Sequence, residues 1–381
     1  MAYVADLLNA FLWIFNFLVL PAVTYGSALA LGALGVTLVF GILRFANFAH
    51  GDMMAFGAMI SLIGVEVLNR AGLFTYPLPA GLVMLPLAML ATALLAIALD
   101  KTVYGYYRRI RSPPVVLVMS SIGVMFLLNG LTRLVKGADL TPFNDRRTFD
   151  FGAVDLAALT ERLGAGAVRV KTDFATQART VHVTEPEYVF FSVGEFKRAT
   201  GLAEGFGLDL IQAITIVLAL AVFAALYWFL ARTRSGKAMR AFSDNEDLAL
   251  LSGIDPQRVV LITWIIAGSL AALAGTMYGM DRGYKPFTYF QMLLPIFAAT
   301  IVGGIGHPQG AIVGGYLVAF TEIGITANYK KVVNYLLPQG WEVAGNVQLL
   351  GTEYKFSVSF LILVVVLLSR PTGIFRGRVL T

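Results

Sequence analysis

Nearly every apolar run in this chain is long enough to cross a lipid bilayer, and the clearest basic stretches sit at the ends of alternate runs. A hydrocarbon core about 30 Å thick takes about 20 mostly apolar residues in helical form. Candidate spans cover residues 11–42, 51–68, 79–99, 115–134, 208–231, 259–280, 292–323 and 356–369. In lipid each span must satisfy its own backbone hydrogen bonds, which selects helix. The expected fold class is all-α: a polytopic transmembrane helical bundle of about 8 spans, with broken or re-entrant helices and one long extracytoplasmic loop. A hydrophobic share of 57% with only 14% charged residues excludes an ordinary soluble globule. Two runs are too long for one crossing. Pro21 predicts a kink in the first, because proline lacks a donor and clashes with the preceding turn. Residues 303–310 (GGIGHPQG) predict a break in the run 292–323.

Cysteine is absent, which removes disulfides and thiolate metal sites. His50, His182 and His307 are far apart, so no metal site is expected. The N-terminal run lacks a basic flank, carries Asp6 and continues past residue 20, unlike a cleavable signal peptide. A net charge of +6 would suit nucleic acid in a soluble protein; in a multispanning one, excess Lys and Arg marks cytoplasmic loops. Three basic clusters are mutually consistent with that side: Lys101, Arg108, Arg109 and Arg111; Arg232, Arg234, Lys237, Arg240 and Arg258; and Arg370, Arg376 and Arg378. The N-terminus is then expected outside and the C-terminus in the cytoplasm, provided that 292–323 leaves and returns so that the last run points inward. The chain divides into an N-terminal transmembrane half (1–135), an extracytoplasmic loop or small inserted element (136–207), and a C-terminal half (208–381) carrying a cytoplasmic loop at 232–258. Within the insert, 167–183 has partial strand-like alternation. A small β-rich element and a solvated loop both satisfy that pattern. Gly236-Lys237 is not a Walker A loop, because Ala238 follows it and Ala231 stands where the first glycine belongs. ATP chemistry would have to come from a partner.

Three constellations stand out. Arg44 to Asp52 reads RFANFAHGD between two apolar runs, with Asn47, His50 and Asp52 offering hydrogen-bonding groups beside Gly51. It reads as a helix–helix turn at the headgroups, or as a broken helix lining a substrate path. The glycine-rich break around Gly303, Gly304 and Gly306 reads as tight helix packing or as part of the same path. The likeness of the two breaks hints at an inverted repeat. In the third, Ser243 and Glu246 have capping-box spacing, Asp244, Glu246 and Asp247 suit the positive end of a helix, and Gly253 is placed to end it. Leu248 and Leu251 fall on one face. A short helix bounded this way suits docking to a cytoplasmic partner, or lying on the headgroups.

ANFAHGD, RSGKAMRAFSDNEDLALLSGID, AATIVGGIGHPQGAIVGGYL and RPTGIF together resemble the permease subunits of branched-chain amino-acid ABC importers of the LivH type, over most of 20–135 and 208–378. That resemblance implies a multi-pass subunit of the bacterial inner membrane that works by alternating access. It implies cytoplasmic ATPase subunits, a second permease (of LivM type, or a second copy), a periplasmic substrate-binding protein and membrane lipid as partners. No cofactor is expected on this chain, ATP being used by the partner subunits, and no catalytic residue is implied. The loop carrying Gly236, Arg240, Ala241, Glu246, Asp247, Leu248, Leu251 and Gly253 would be the ATPase-coupling helix. Asn47, His50, Gly51, Asp52, Gly303, Gly304 and Gly306 would lie near the pathway or its gate. Permeases for urea and short-chain amides share this scaffold, and the insert at 136–207 is longer than the family pattern leads one to expect. An ion-coupled secondary transporter would instead need buried ionisable residues, for which Asp52, Glu66 and Glu322 are the candidates. A passive channel would rest on the glycine-rich region.

Overall fold

A computed structural model describes residues 2–71, 78–143, 147–150, 168–172, 179–183, 189–191, 193–337, 341, 343, 345–370 and 372–375. Arg376, Arg378 and part of the predicted insert lie outside this set. Helices in chain order are α1 (Ala2–Ile14), α2 (Leu20–Leu43), α3 (His50–Arg70), α4 (Ala80–Leu99), α5 (Gly105–Arg109) and α6 (Pro114–Lys136). They continue with α7 (Val193–Thr200), α8 (Leu210–Arg232), α9 (Arg234–Asp244), α10 (Glu246–Leu251) and α11 (Pro256–Arg282). The last are α12 (Pro286–Gly303), α13 (Pro308–Thr326), α14 (Lys330–Leu336) and α15 (Lys355–Ser369). Among the described residues 8 helices are long and apolar enough to span a membrane, and α13 with α14 pass the same test only as a pair bent by 73°, a broken span or a re-entrant loop. The all-α bundle expected from hydropathy is the fold.

The helix α2 is apolar around its whole circumference, and a helix of that kind belongs in the interior. Leu29, Leu31, Leu34 and Val39 are fully buried, with α11, α12 and α13 packed about them. By contrast α8 and α15, equally apolar, leave Val217, Leu220, Phe360 and Leu361 exposed, as lipid-facing helices do. Lipid supplies little hydrophobic drive for association, so close approach matters. A Cβ on Gly315 would lie 2.7 Å from the Ala30 backbone, which sets how tightly α13 meets α2.

The first span is a single helix from Val4 to Leu43, roughly 60 Å long at 1.5 Å per residue. It carries no break at Pro21. A π-helical turn, Phe15–Val19, precedes the proline instead. Widening that turn makes room for the proline ring against the carbonyl it would otherwise strike, so the helix continues. Beyond the bilayer-length part, α1 packs through Ala10 and Trp13 on Val332 of α14. Asn9 and Asn16 accept from the backbone N–H groups of Glu204 and Gly207, at 3.1 and 3.2 Å.

The run 292–323 is two antiparallel helices. Gly303 of α12 lies against Gly310 of α13, and Ala299 against Gly314. Two passes here are what the alternating basic loops require if α15 is to run inward. Within the insert, β1 (Arg147–Asp150), β2 (Val168–Thr172) and β3 (Arg179–Val183) form an antiparallel sheet in the order β1-β3-β2. Its register places Val183 opposite both Arg147 and Val168. The strand-like alternation at 167–183 thus corresponds to β2 and β3. A second pair joins β4 (Val189–Phe191) to β5 (Leu208–Asp209).

Candidate functional site

Arg44 ends α2 in the left-handed region (φ 59°), its N–H still bonded to the Phe40 carbonyl. This turns the chain back into the bundle, where Asn47 organises the start of α3. Its Oδ1 accepts from the Ala49 N–H at 3.1 Å and from the Tyr104 hydroxyl at 3.3 Å. The Phe48 N–H donates to Ser121 Oγ of α6 at 3.1 Å. His50 is fully buried against Gly35, where an added Cβ would stand 2.4 Å from the imidazole. That level is roughly 12 Å inside the end of α2 at 1.5 Å per residue. Gly51 lets α3 close on α12, where a Cβ would meet the Tyr289 carbonyl at 2.8 Å. Asp52 is buried, and its Oδ1 accepts from Asn129 Nδ2 of α6 at 2.8 Å. Asp52 Oδ2 has no hydrogen-bond partner among the described residues, and the His50 ring nitrogens, close to the Gly32 backbone, make no hydrogen bond of good geometry. Leaving such atoms dry and unpaired costs free energy. The break is therefore inside the bundle, with the positive end of α3 and three poorly satisfied polar atoms held there, rather than at its surface.

Gly304 and Gly306 form the α12–α13 turn at φ 108° and 83°, values that suit glycine. Ile374 and Phe375 donate their N–H groups to the Val302 and Gly303 carbonyls at 2.8 and 3.1 Å, so the chain past α15 is pinned beneath this turn.

The loop after α8 holds two helices meeting at Asn245. Thr233 caps α9 by accepting from the Gly236 N–H at 3.0 Å. The predicted capping box is not formed. Ser243 lies inside α9, and Asn245 caps α10, accepting from the Leu248 N–H at 3.1 Å. The reason is packing: Met239 and Phe242 are buried, which carries α9 on through Asp244 and moves the cap along the chain. Gly253 ends α10 as expected, at φ 79°. Its N–H bonds the Leu250 carbonyl and that of Ile254 the Ala249 carbonyl, a Schellman closure. Gly236 is buried, its place against Phe229 being one of packing, while Arg240, Ala241, Glu246 and Asp247 are exposed. On α10 the small Ala249 faces inward, and Leu248 and Leu251 are 62% and 86% exposed.

These regions converge. Arg44 donates to the Ser243 carbonyl at 2.5 Å, tying the first break to α9. A cavity of about 290 Å³ between α2 and α9 is lined by Arg44, Arg240, Asp244, Gly306 and His307. Sequence reasoning missed Asn129, the partner of Asp52, and the brace beneath the first break. There Tyr104 stacks on Trp264 at 5.2 Å, Trp264 Nε1 donates to Asp100 at 2.7 Å, and Arg108 grips the same carboxylate at 2.6 and 2.9 Å. An aspartate at the end of an apolar run was the available signal for that brace. Of the other ionisable span residues, Glu66 pairs with Lys136, while Glu322 accepts from Ser359 and lies 3.8 Å from Lys355. Among the described residues no cluster suits a metal ion.

Several proteins are similar along most of this chain. The high-affinity branched-chain amino acid transport system permease protein LivH of Salmonella typhimurium is 27% identical over 93% of both chains. BraD, the corresponding permease protein of Pseudomonas aeruginosa, is 28% identical over 93% of both. A probable branched-chain amino acid transport permease protein LivH of Methanocaldococcus jannaschii is 27% identical over 93% of this chain and 90% of its own. Residues 18–367 match the family described as branched-chain amino acid transport system, permease component, and the protein belongs to that family.

Proposed function

We propose that this chain is the membrane permease subunit of an ATP-driven importer of branched-chain or related amino acids, with its N-terminus outside and its C-terminus in the cytoplasm. It would supply no covalent chemistry. Its partners would be cytoplasmic ATPase subunits, a second permease (a relative or another copy) and an external substrate-binding protein. The cargo assignment draws on what its relatives are named for, and the partner assignment on the family. One observation carries the coupling reading: α10 is capped at both ends, yet turns Leu248 and Leu251 outward at the loop end of the bundle. Exposed leucines on a bounded helix suit a groove on a soluble partner. ATP-driven movement of that partner would push α10, and α9 would pass the motion to the Arg44 turn and the α12–α13 turn, which share its cavity. A nucleotide biases this equilibrium only through different affinity for the two states. The breaks at Asn47 to Asp52 and Gly303 to Gly306 would form the pathway or its inner gate.

Glu246→Ala combined with Leu251→Asp should abolish uptake of labelled leucine and co-purification of the ATPases, while the protein still inserts in the membrane. Normal uptake by that variant overturns the coupling assignment. Transport by the isolated chain in liposomes without ATP overturns the importer reading. Uptake of urea in place of leucine redirects the cargo assignment alone.

A further inference from the structure

At the same end of the bundle, α4, α5, α6, α10, α11 and the end of α2 enclose an open cavity of about 1070 Å³, which adjoins the smaller one and shares Ile42 and Arg44 with it. Its mouth carries Lys101, Arg109, Arg111 and Arg258. Three acids also line it, but two are already engaged. Asp100 is taken by Arg108 and Trp264. Asp255 accepts from the Gln257 N–H at 2.9 Å and lies 3.4 Å from Arg258. The third is Glu246, in the first turn of α10. Among the described residues Lys101, Arg109 and Arg111 have no carboxylate within ion-pair distance, so the mouth holds uncompensated positive charge. Part of the wall is apolar: Ile97, Leu117 and Leu261 come from α4, α6 and α11, each of bilayer-spanning length.

The backbone here is unusual too. Among the described residues, the non-glycine positions with positive φ are Arg44 (59°) and Arg111 (49°), and both line this cavity. A left-handed conformation is unfavourable for a side chain with a Cβ, and such strain tends to persist where a site is built. Arg109 and Arg111, at and just before this strained turn, are both exposed and line the cavity.

Cationic groups beside an apolar wall contributed by membrane-spanning helices match an anionic phospholipid better than a soluble anion, which would leave the apolar wall unused. Guanidinium groups suit a phosphate through paired N–H donors. We propose that this cavity binds one anionic phospholipid, its phosphate held by Lys101, Arg109, Arg111 and Arg258 and an acyl chain laid along Ile97, Leu117 and Leu261. Because Phe242 and Glu246 share the wall, the lipid would also join the α4–α6 hairpin to the α9–α10 loop. The proposal needs only that this chain sits in a membrane, and stands apart from the docking of α10.

The test is native mass spectrometry of the detergent-purified protein after exchange with phosphatidylglycerol or phosphatidylcholine. The wild type should retain phosphatidylglycerol in preference to phosphatidylcholine. Arg109→Gln with Arg111→Gln should weaken retention roughly thirtyfold, and Arg258→Gln alone roughly fivefold. Arg258 is 84% exposed at its side chain, so that variant leaves packing intact. Arg234→Gln, which removes an exposed charge from α9 away from the cavity, should retain the lipid like the wild type. Three results would overturn the proposal: equal retention of both lipids, equal retention by the Arg109/Arg111 and Arg258 variants, or the same loss in Arg234→Gln. Displacement of the lipid by millimolar glycerol phosphate would also overturn it and assign the cavity to a soluble anion.

Discussion

The two breaks in the helical bundle look alike in sequence and are built on different physics. Between α2 and α3 the chain is held by side chains: Asn47 on Ala49 and Tyr104, Ser121 on Phe48, and Asn129 on Asp52. Between α12 and α13 it is held by the lack of side chains, with the carbonyls of Gly303 and Gly310 each at the other's Cα. A polar break can be loosened one hydrogen bond at a time, and its poorly satisfied atoms leave room for a second arrangement. A glycine seam has no such reserve, because backbone cannot rotate out of the way.

The largest effect should therefore come from the seam. In Gly310→Val the new Cβ would stand 2.2 Å from the Gly303 carbonyl oxygen, with no flexible side chain to yield. The expected outcome is loss of the monodisperse peak when the protein is extracted in mild detergent. A folded, active Gly310→Val protein would show that α12 and α13 can separate, and the contrast between the breaks would fail.

A smaller, graded loss is expected at the polar break. Asn129→Leu removes the donor to a buried carboxylate and leaves both Asp52 oxygens unpaired. A lost partner of this kind costs about 2 kcal/mol. The variant should insert and fold but melt at a lower temperature, and Asp52→Asn in the same background should recover part of the loss by removing the stranded charge. An unchanged melting temperature in Asn129→Leu would mean that Asp52 has another partner in the working protein.

These differences mark how far the sequence could be read. Hydropathy and glycine content were enough to place the spans and both breaks, because length and backbone freedom are properties of the chain itself. The antiparallel pairing of α12 and α13 rests on the glycine seam, which only packing reveals. Local spacing allows a cap for α10 at Ser243. Burial of Met239 and Phe242 moved it to Asn245, and burial is not a local property. Pro21 predicts a kink in the first span, yet the π turn that ends two residues before it absorbs the proline. Asp52 was legible as a polar group in an apolar setting, but its partner lies on a helix far along the chain. The left-handed arginines carried no sequence signal at all, since no glycine or asparagine marks their positions.

The smallest expected effect separates two roles that glycine plays within one turn. Gly306 lies three residues from Gly303, and an added Cβ there would meet nothing within 4 Å. Its φ of 83° is the sole requirement, so Gly306→Ala should cost about 1 kcal/mol from backbone strain and no more. Gly306→Asn should cost less than alanine, because asparagine enters the left-handed region more readily. Melting temperatures of the two variants test this directly, with Gly310→Val as the contrast. If alanine at 306 is as damaging as valine at 310, the turn is crowded in the functioning assembly and another chain presses on it. If both 306 variants fold and transport normally, steric closeness resides in the helix pair and the turn itself supplies only direction.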